Sequence, residues 1–334
     1  MVQRLSFFKN GRSEGKGQGT DEALKGKVLN KNKALRVLLG LAALVGLYLT
    51  RLHGFLLFHS LAELFSIIVA CAIFILAWNA RRFLDNGSLL FLGMAYLFVG
   101  SLDLFHTLSY KGMGVFRGYE TNLPTQLWIA ARYVESLSLL IAPWFSHGKK
   151  PRVGVVLLGY TLVTSLILLS IFGFKIFPAC FAEGAGLTPF KKASEYVISL
   201  ILLAAAGMLF RNRRHFDAIT MRLLMISIAC TVISEIAFTY YVHAYGFSNL
   251  VGHYFKIISF YFIYKAIVET GLQKPYAVMF RNLKDSETAL RYRVAFEDLI
   301  SRISARFVGM PSDEIDQGIE EALREISQFS DADA

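Results

Sequence analysis

Ionisable side chains interrupt several otherwise apolar runs of this sequence, and their spacing is helical. His59 and Glu63 stand four apart, while Asp103 and His106, Arg132 and Glu135, and His253 and Lys256 each stand three apart. Glu235 interrupts a run of its own. Residues three or four apart share one helix face. Imidazoles beside carboxylates ligate zinc, copper or iron, so His59, His106 and His253 are candidate metal ligands. Two of them can instead serve as axial ligands of a haem. Arg132 and Lys256 point elsewhere, to an anionic ligand such as a carboxylate or the headgroup of a lipid or quinone-like molecule. A fourth reading needs no ligand: Arg–Glu, Asp–His and Lys–Glu pairs neutralise one another and fix helix packing. The candidate ligand-binding set is therefore His59, Glu63, Asp103, His106, Arg132, Glu135, Glu235, His253 and Lys256, with the cofactor open among these readings.

The elements that carry these groups are membrane-length. Of 334 residues, 54% are hydrophobic and 18% charged, against about 25% charged in soluble domains. A spanning helix takes about 20 mostly apolar residues. Eight stretches fit, at roughly 34–50, 55–79, 88–108, 124–145, 153–174, 190–210, 217–241 and 249–268. The first carries Arg36, which can snorkel to the surface, as can Arg51 at its other end. Pro124 opens the fourth, where its missing N–H costs nothing. The expected fold is an all-α integral membrane bundle of about eight helices.

Charge placement sets the expected orientation. The net charge is +10, yet residues 281–334 carry seven Lys/Arg against twelve Asp/Glu, so the excess lies before them. It concentrates at Arg81 and Arg82, at Lys149, Lys150 and Arg152, at Arg211, Arg213 and Arg214, and at Lys274 and Arg281. The alternate loops, 109–123, 175–189 and 242–248, are Gly-rich and aromatic. The positive-inside rule then puts both termini in the cytoplasm of a bacterial inner membrane. That balance argues for the lipid bilayer as partner and against nucleic acid. In this topology the whole polar set falls in the outer half of the bilayer. Ionisable groups at such depth are expensive and mark functional sites by default.

Other features read blandly. Residues 1–33, with eight Lys/Arg and three Asp/Glu, form a disordered basic cytoplasmic tail. Cys71 and Cys230 are small packing residues, and Cys180 is a lone loop thiol. His53 and His147 are solvated at helix ends, His243 at the outer end of the seventh stretch is either solvated or part of the site, and His215 faces headgroups. Trp78, Trp128 and Trp144 fit interfacial belts. The loop from Tyr110 through Gly112 and Gly114 to Phe116 is either a lid or a tight turn. No phosphate-binding loop, zinc-protease motif, nucleophile elbow, kinase signature or cyclase signature occurs, so this chain reads as no enzyme. Transport and membrane catalysis are the rival readings of the same polar cluster; transport lacks the internal repeat and paired helix breaks it usually shows.

Beyond Gly271 and Pro275 the chain becomes charged and amphipathic, with Leu283, Leu290, Val294, Leu299, Ile303 and Phe307 along one helix. Ser312 is an expected N-cap for a second helix carrying Ile315, Ile319, Leu323 and Ile326.

Three separate motifs resemble the membrane-associated sensor domains, the MASE family, third class. They are Asp103-Leu-Phe-His106 through Tyr110-Lys111-Gly112-Met113-Gly114; Asn122-Leu-Pro-Thr-Gln126-Leu-Trp128 through Arg132-Tyr-Val-Glu135; and Gly252-His253-Tyr-Phe-Lys256 through Tyr264-Lys265 to Glu269. The segment from Arg293 through Phe296, Ile300, Ile303 and Phe307 to Ile319 resembles the opening of a GAF domain. The resemblance implies a sensory input module, of the kind that precedes histidine kinases and cyclic di-GMP (diguanylate) cyclases in two-component and related signal transduction. It divides the chain into the tail 1–33, a sensor domain 34–275, a signalling helix 276–308 and the cut-off start of a GAF-like domain 309–334. The signalling helix implies a homodimer and a downstream cytoplasmic signalling domain as partners.

Overall fold

The computed structural model describes residues 34–35, 37–82, 84, 86–146, 150–240, 246–269, 273–312 and 314–331. The expectations for the tail 1–33, Arg36, His147, Lys149, His243 and Gly271 lie outside the described residues. The chain divides into two compact units, Met1–Gly271 and Leu272–Ala334, and each is taken by itself.

The first unit is helical. Its elements are α1 (Val37–His53), α2 (Phe55–Ala80), α3 (Gly87–Ser109), α4 (Asn122–Ile141), α5 (Val153–Leu168, extended by a π-helical turn to Gly173), α6 (Pro189–Arg211), α7 (Ala218–Thr239) and α8 (Phe247–Tyr264, extended similarly to Glu269). Helix starts follow capping chemistry. Asn86 Oδ1 accepts from Ser88 and Leu89 N–H at 3.0 and 3.3 Å, and Thr188 Oγ1 accepts from Lys191 N–H with Pro189 opening α6. Asp217 caps α7 in the same way. Helix α4 begins at Asn122, two residues before Pro124, which still lies among the donors no helix satisfies.

Packing order explains which helices are apolar. Helices α2, α3, α4, α6, α7 and α8 each pack on the next, and α8 packs back on α2, so six helices close a ring. Helix α5 lies outside it on α3, and Tyr254 Oη donates to the Leu44 carbonyl at 2.9 Å, holding α1 against α8. Among the described residues five helices, α2, α3, α5, α6 and α7, are long and apolar enough to cross a membrane, fewer than the eight expected. Helix α5 buries only Thr164 and turns Val155, Leu158 and Leu162 outward, as a lipid-facing edge does. Helix α4 is the opposite: 15 of its 20 residues are buried. An enclosed helix needs no apolar outer face, which is why α4 and α8 tolerate charge.

Small residues set the closest approaches. A Cβ on Gly93 would collide with Ala77 Cβ, and one on Gly100 would lie 2.8 Å from Ala70 Cβ, so α2 and α3 meet through a small-residue seam. Helices α7 and α8 meet through hydroxyls: Ser259 Oγ lies 2.9 Å from Ser227 Oγ and 2.7 Å from Thr231 Oγ1.

The loop after α5 holds a short antiparallel hairpin, β1 (Phe181–Ala182) with β2 (Gly186–Leu187), a departure from the purely helical expectation. Asn122 Oδ1 accepts from the N–H of Cys180 and Phe181, and Gln126 Nε2 donates to the Phe177 and Pro178 carbonyls. Cys180 is thereby buried. Cys71 is exposed, so it is not the packing residue its apolar run suggested; Cys230 is buried.

In the second unit α9 (Gln273–Phe307) is followed by α10 (Ile315–Asp331). The two pack through Phe329 against Tyr292 and Phe296, over buried Leu299 and Ala322. Arg306 bridges to Glu325 at 2.5 Å and Glu321 at 3.5 Å. Helix α10 starts at Ile315, so Ser312 stands too early to be its N-cap; Asp316 supplies the acid in the first turn.

Candidate functional site

Every helix of the ring sends ionisable groups inward. Helix α2 gives His59 and Glu63, α3 gives Asp103 and His106, and α4 gives Arg132 and Glu135. Helix α6 gives Lys191 and Glu195, α7 gives Glu235, and α8 gives His253 and Lys256; all are buried. The nine residues singled out from spacing thus come together, with Lys191, Glu195 and Tyr96 added to them. Lys191 and Glu195 stand four apart near the start of α6, a spacing the sequence offers; Tyr96 gives no such signal. These residues all lie within about 20 Å of one end of the ring, counting 1.5 Å per residue from the helix ends.

Two cations organise the middle. Arg132 Nη2 donates to both Asp103 oxygens at 2.7 and 2.8 Å, and Arg132 Nη1 reaches Glu135 Oε2. Tyr96 Oη donates to Glu135 Oε1 at 2.9 Å. Lys256 Nζ bridges Glu63 Oε2 at 2.6 Å and Asp103 Oδ2 at 3.1 Å. Glu63 on α2, Asp103 on α3, Glu135 on α4 and Lys256 on α8 therefore form one chain of charge. Arg–Glu and Lys–Glu pairing, expected from sequence by residue type, is present as Arg132–Glu135 and Lys256–Glu63; Asp103 pairs with the two cations rather than with His106. Trp128, expected at an interface, is buried below this network, with Arg132 Cζ 4.9 Å and Lys256 Nζ 4.6 Å from its ring centre. Trp144 is exposed, and Arg81 lies 4.4 Å over Trp78, as interfacial residues do.

A second cluster lies on α6 and α7. Lys191 Nζ pairs with Glu195 and donates to the Phe238 carbonyl at 2.9 Å. The Glu195 and Glu235 carboxyls lie beside one another.

The three imidazoles gather nearer the end of the ring. His59 Nε2 lies 3.3 Å from His106 Nε2, and the rings of His59 and His253 are 5.0 Å apart. Tyr110 stacks on His59 at 3.8 Å, so the loop after α3 covers this end. Gly112 and Gly114 have φ of +102° and +70°, which only glycine adopts without strain, so the turn itself demands them. His59, His106, His253, Tyr110, Trp128 and Lys191 line a cavity with about 40 Å³ available to the centre of a water-sized molecule. One water needs roughly 10–15 Å³ on that measure. The space suits an ion with its waters and is far too small for a haem, so the haem reading is set aside. Among the described residues, the group that brings potential ligand atoms within 4.8 Å of one another is His59, Glu63 and His253. Glu63 takes the place expected for His106.

The family model for the membrane-associated sensor domain, MASE3, matches residues 50–275, about two-thirds of the chain. Comparison with curated proteins and with solved structures found no match. The match covers all six helices of the ring and every residue of the charge network. With five apolar helices of spanning length, it makes this a membrane protein. The chain belongs to the membrane-associated sensor domain family.

Proposed function

We propose that the chain is the membrane-embedded input module of a bacterial signalling protein, sensing a small ligand or metal at the polar end of the six-helix ring. The observation that carries this is the Lys256 bridge. Helix α8 is tied to α2 through Glu63 and, through Asp103 and Arg132, to α3 and α4. A species that binds among these groups competes with those bonds and changes how α8 is held. Differential affinity for two arrangements is what a switch requires. The chain continues from α8 through Glu269 into α9, so α8 is the covalent route to the C-terminal helices.

In this reading all eight helices, α1 to α8, cross the inner membrane, with both termini cytoplasmic and the polar cluster toward the periplasm. Residues 276–308 act as a signalling helix that pairs with its copy in a homodimer. Residues 309–334 open a GAF-like module that leads to a histidine kinase or diguanylate cyclase output. The chain itself catalyses nothing. Reporter fusions at residues 115, 150, 183, 213 and 245 test the topology; a cytoplasmic signal from residue 183 overturns it. For function, Lys256→Met and Glu135→Gln are placed in the intact sensor, and output is measured beside folded yield. The proposal expects variants that fold yet are locked on or off. Variants whose output simply tracks folded yield assign the cluster to packing alone. Substrate accumulation in vesicles, or turnover by the isolated bundle, would replace the sensor with a transporter or an enzyme.

A further inference from the structure

The hydrogen bonds around the imidazoles fix where their lone pairs point. His106 Nδ1 lies 2.7 Å from the Pro124 carbonyl, which can only accept, so Nδ1 carries the proton. In the neutral ring His106 Nε2 is then an acceptor. His59 Nε2 sits 3.3 Å from it and must be the donor. That leaves the lone pair of a neutral His59 on Nδ1. On α8, His253 Nδ1 lies 2.8 Å from the Asn249 carbonyl, so it too carries the proton, and Nε2 keeps the lone pair. Glu63 spends Oε2 on Lys256 and leaves Oε1.

These three leftover atoms, His59 Nδ1, Glu63 Oε1 and His253 Nε2, are all buried and without a hydrogen-bond partner. They belong to the three residues whose potential ligand atoms lie within 4.8 Å of one another. The residues are 1%, 0% and 3% exposed, so water does not satisfy them from outside. An unpaired buried polar atom costs about 1–3 kcal/mol, and one partner shared by these three neighbouring residues would relieve that cost.

We propose that His59, Glu63 and His253 bind one divalent transition-metal ion, with zinc(II) the type, and that His106 orients His59 from behind. This rests on the sensor reading above and names its ligand. Two imidazoles and one carboxylate, with a further position left for water, is an established zinc ligand set. Metal–ligand bonds of about 2.0–2.1 Å put tetrahedral ligands about 3.3–3.4 Å apart. His253 Nε2 and Glu63 Oε1 are 3.4 Å apart. A charge-assisted N–H···O bond is shorter, about 2.7–2.9 Å, so the separation leaves room for an ion between the two atoms. The Pro124–His106–His59 relay and the Asn249–His253 bond are the outer contacts that fix ligating imidazoles elsewhere.

The test uses the purified full chain. Metal content is measured by mass spectrometry as isolated and after chelation, and zinc(II) and cobalt(II) are then titrated back, with cobalt read by its ligand-field spectrum. One ion per chain is expected, with a spectrum of nitrogen and oxygen ligation. His253→Ala and Glu63→Gln should weaken zinc binding at least 100-fold. His106→Ala should weaken it about 10–100-fold, as an outer contact does. His215→Ala, remote from the site, should leave it unchanged. Helical content and elution volume confirm folding; if the ligand variants fail to fold, the wild-type stoichiometry and cobalt spectrum decide. No stoichiometric binding by wild type, or binding that survives His253→Ala and Glu63→Gln, overturns the site. The sensor reading stands or falls separately. Locked-output variants in a chain that binds no metal keep the sensor and remove the ion. Stoichiometric metal whose removal leaves signalling unchanged makes the ion structural and removes it as the signal.

Discussion

Replacing Arg132 by Met separates the buried charge network from the rest of the packing. Arg132 is 1% exposed and serves Asp103 at 2.7 and 2.8 Å and Glu135 on its own helix. Met fills much of the same volume without charge. Asp103 then retains Lys256 Nζ at 3.1 Å, and Glu135 retains only the Tyr96 hydroxyl. Removing one partner of a buried pair costs about 3–5 kcal/mol, because the other charge stays buried. At about 1.4 kcal/mol per tenfold, that is roughly two to three and a half orders of magnitude in the folding equilibrium. Arg132→Met/Glu135→Gln removes the stranded charge and keeps an acceptor for Tyr96. It should therefore be more stable than the single variant, with a coupling in the range of about 0.5–3 kcal/mol. The assay is helical content against denaturing detergent fraction in mixed micelles, for wild type, both single variants and the double. A single variant costing under about 1 kcal/mol, or strict additivity in the double, would refute the reasoning that these groups are mutually neutralised in a dry interior.

Gly100→Leu should destabilise by about 1–3 kcal/mol or more, because any Cβ there meets Ala70 Cβ at 2.8 Å and α2 must move from α3; thermal stability in detergent reads it, and an unchanged midpoint contradicts the seam. Burial pushes the Cys180 thiol up to about 12, with the Lys191 ammonium opposing. The raised value keeps the thiol protonated at neutral pH, so alkylation should be about a thousandfold slower than that of an ordinary thiol at pH 8 and rise tenfold per pH unit toward 12. Iodoacetamide labelling read by mass spectrometry checks this, and a plateau by pH 9 counts against it. Single cysteines placed along 283–303 should cross-link between chains on one helical face; absence of cross-links at every position argues against the dimer.

Spacing alone fixed the face of each polar pair, because the helical repeat places residues three and four apart together whatever surrounds them. Hydropathy located apolar helices for the same local reason, although among the described residues five rather than eight are long and apolar enough to span, and the motifs around Asp103, Arg132 and His253 carried the family. What only the tertiary structure decided is partnership. The sequence paired Asp103 with His106 by proximity along α3, but the ring brings Arg132 and Lys256 to it from α4 and α8. It put Trp128 at an interface because tryptophan favours one, while closure of the ring buries it beneath two cations. Lys191 and Glu195 were not singled out from the sequence, and only the inward face of α6 sets them beside Glu235. Glu63 rather than His106 joined His59 and His253, because lone-pair direction depends on carbonyls of Pro124 and Asn249 that no spacing rule reveals. Local periodicity names the face of a helix; only the packing of six helices names what that face meets.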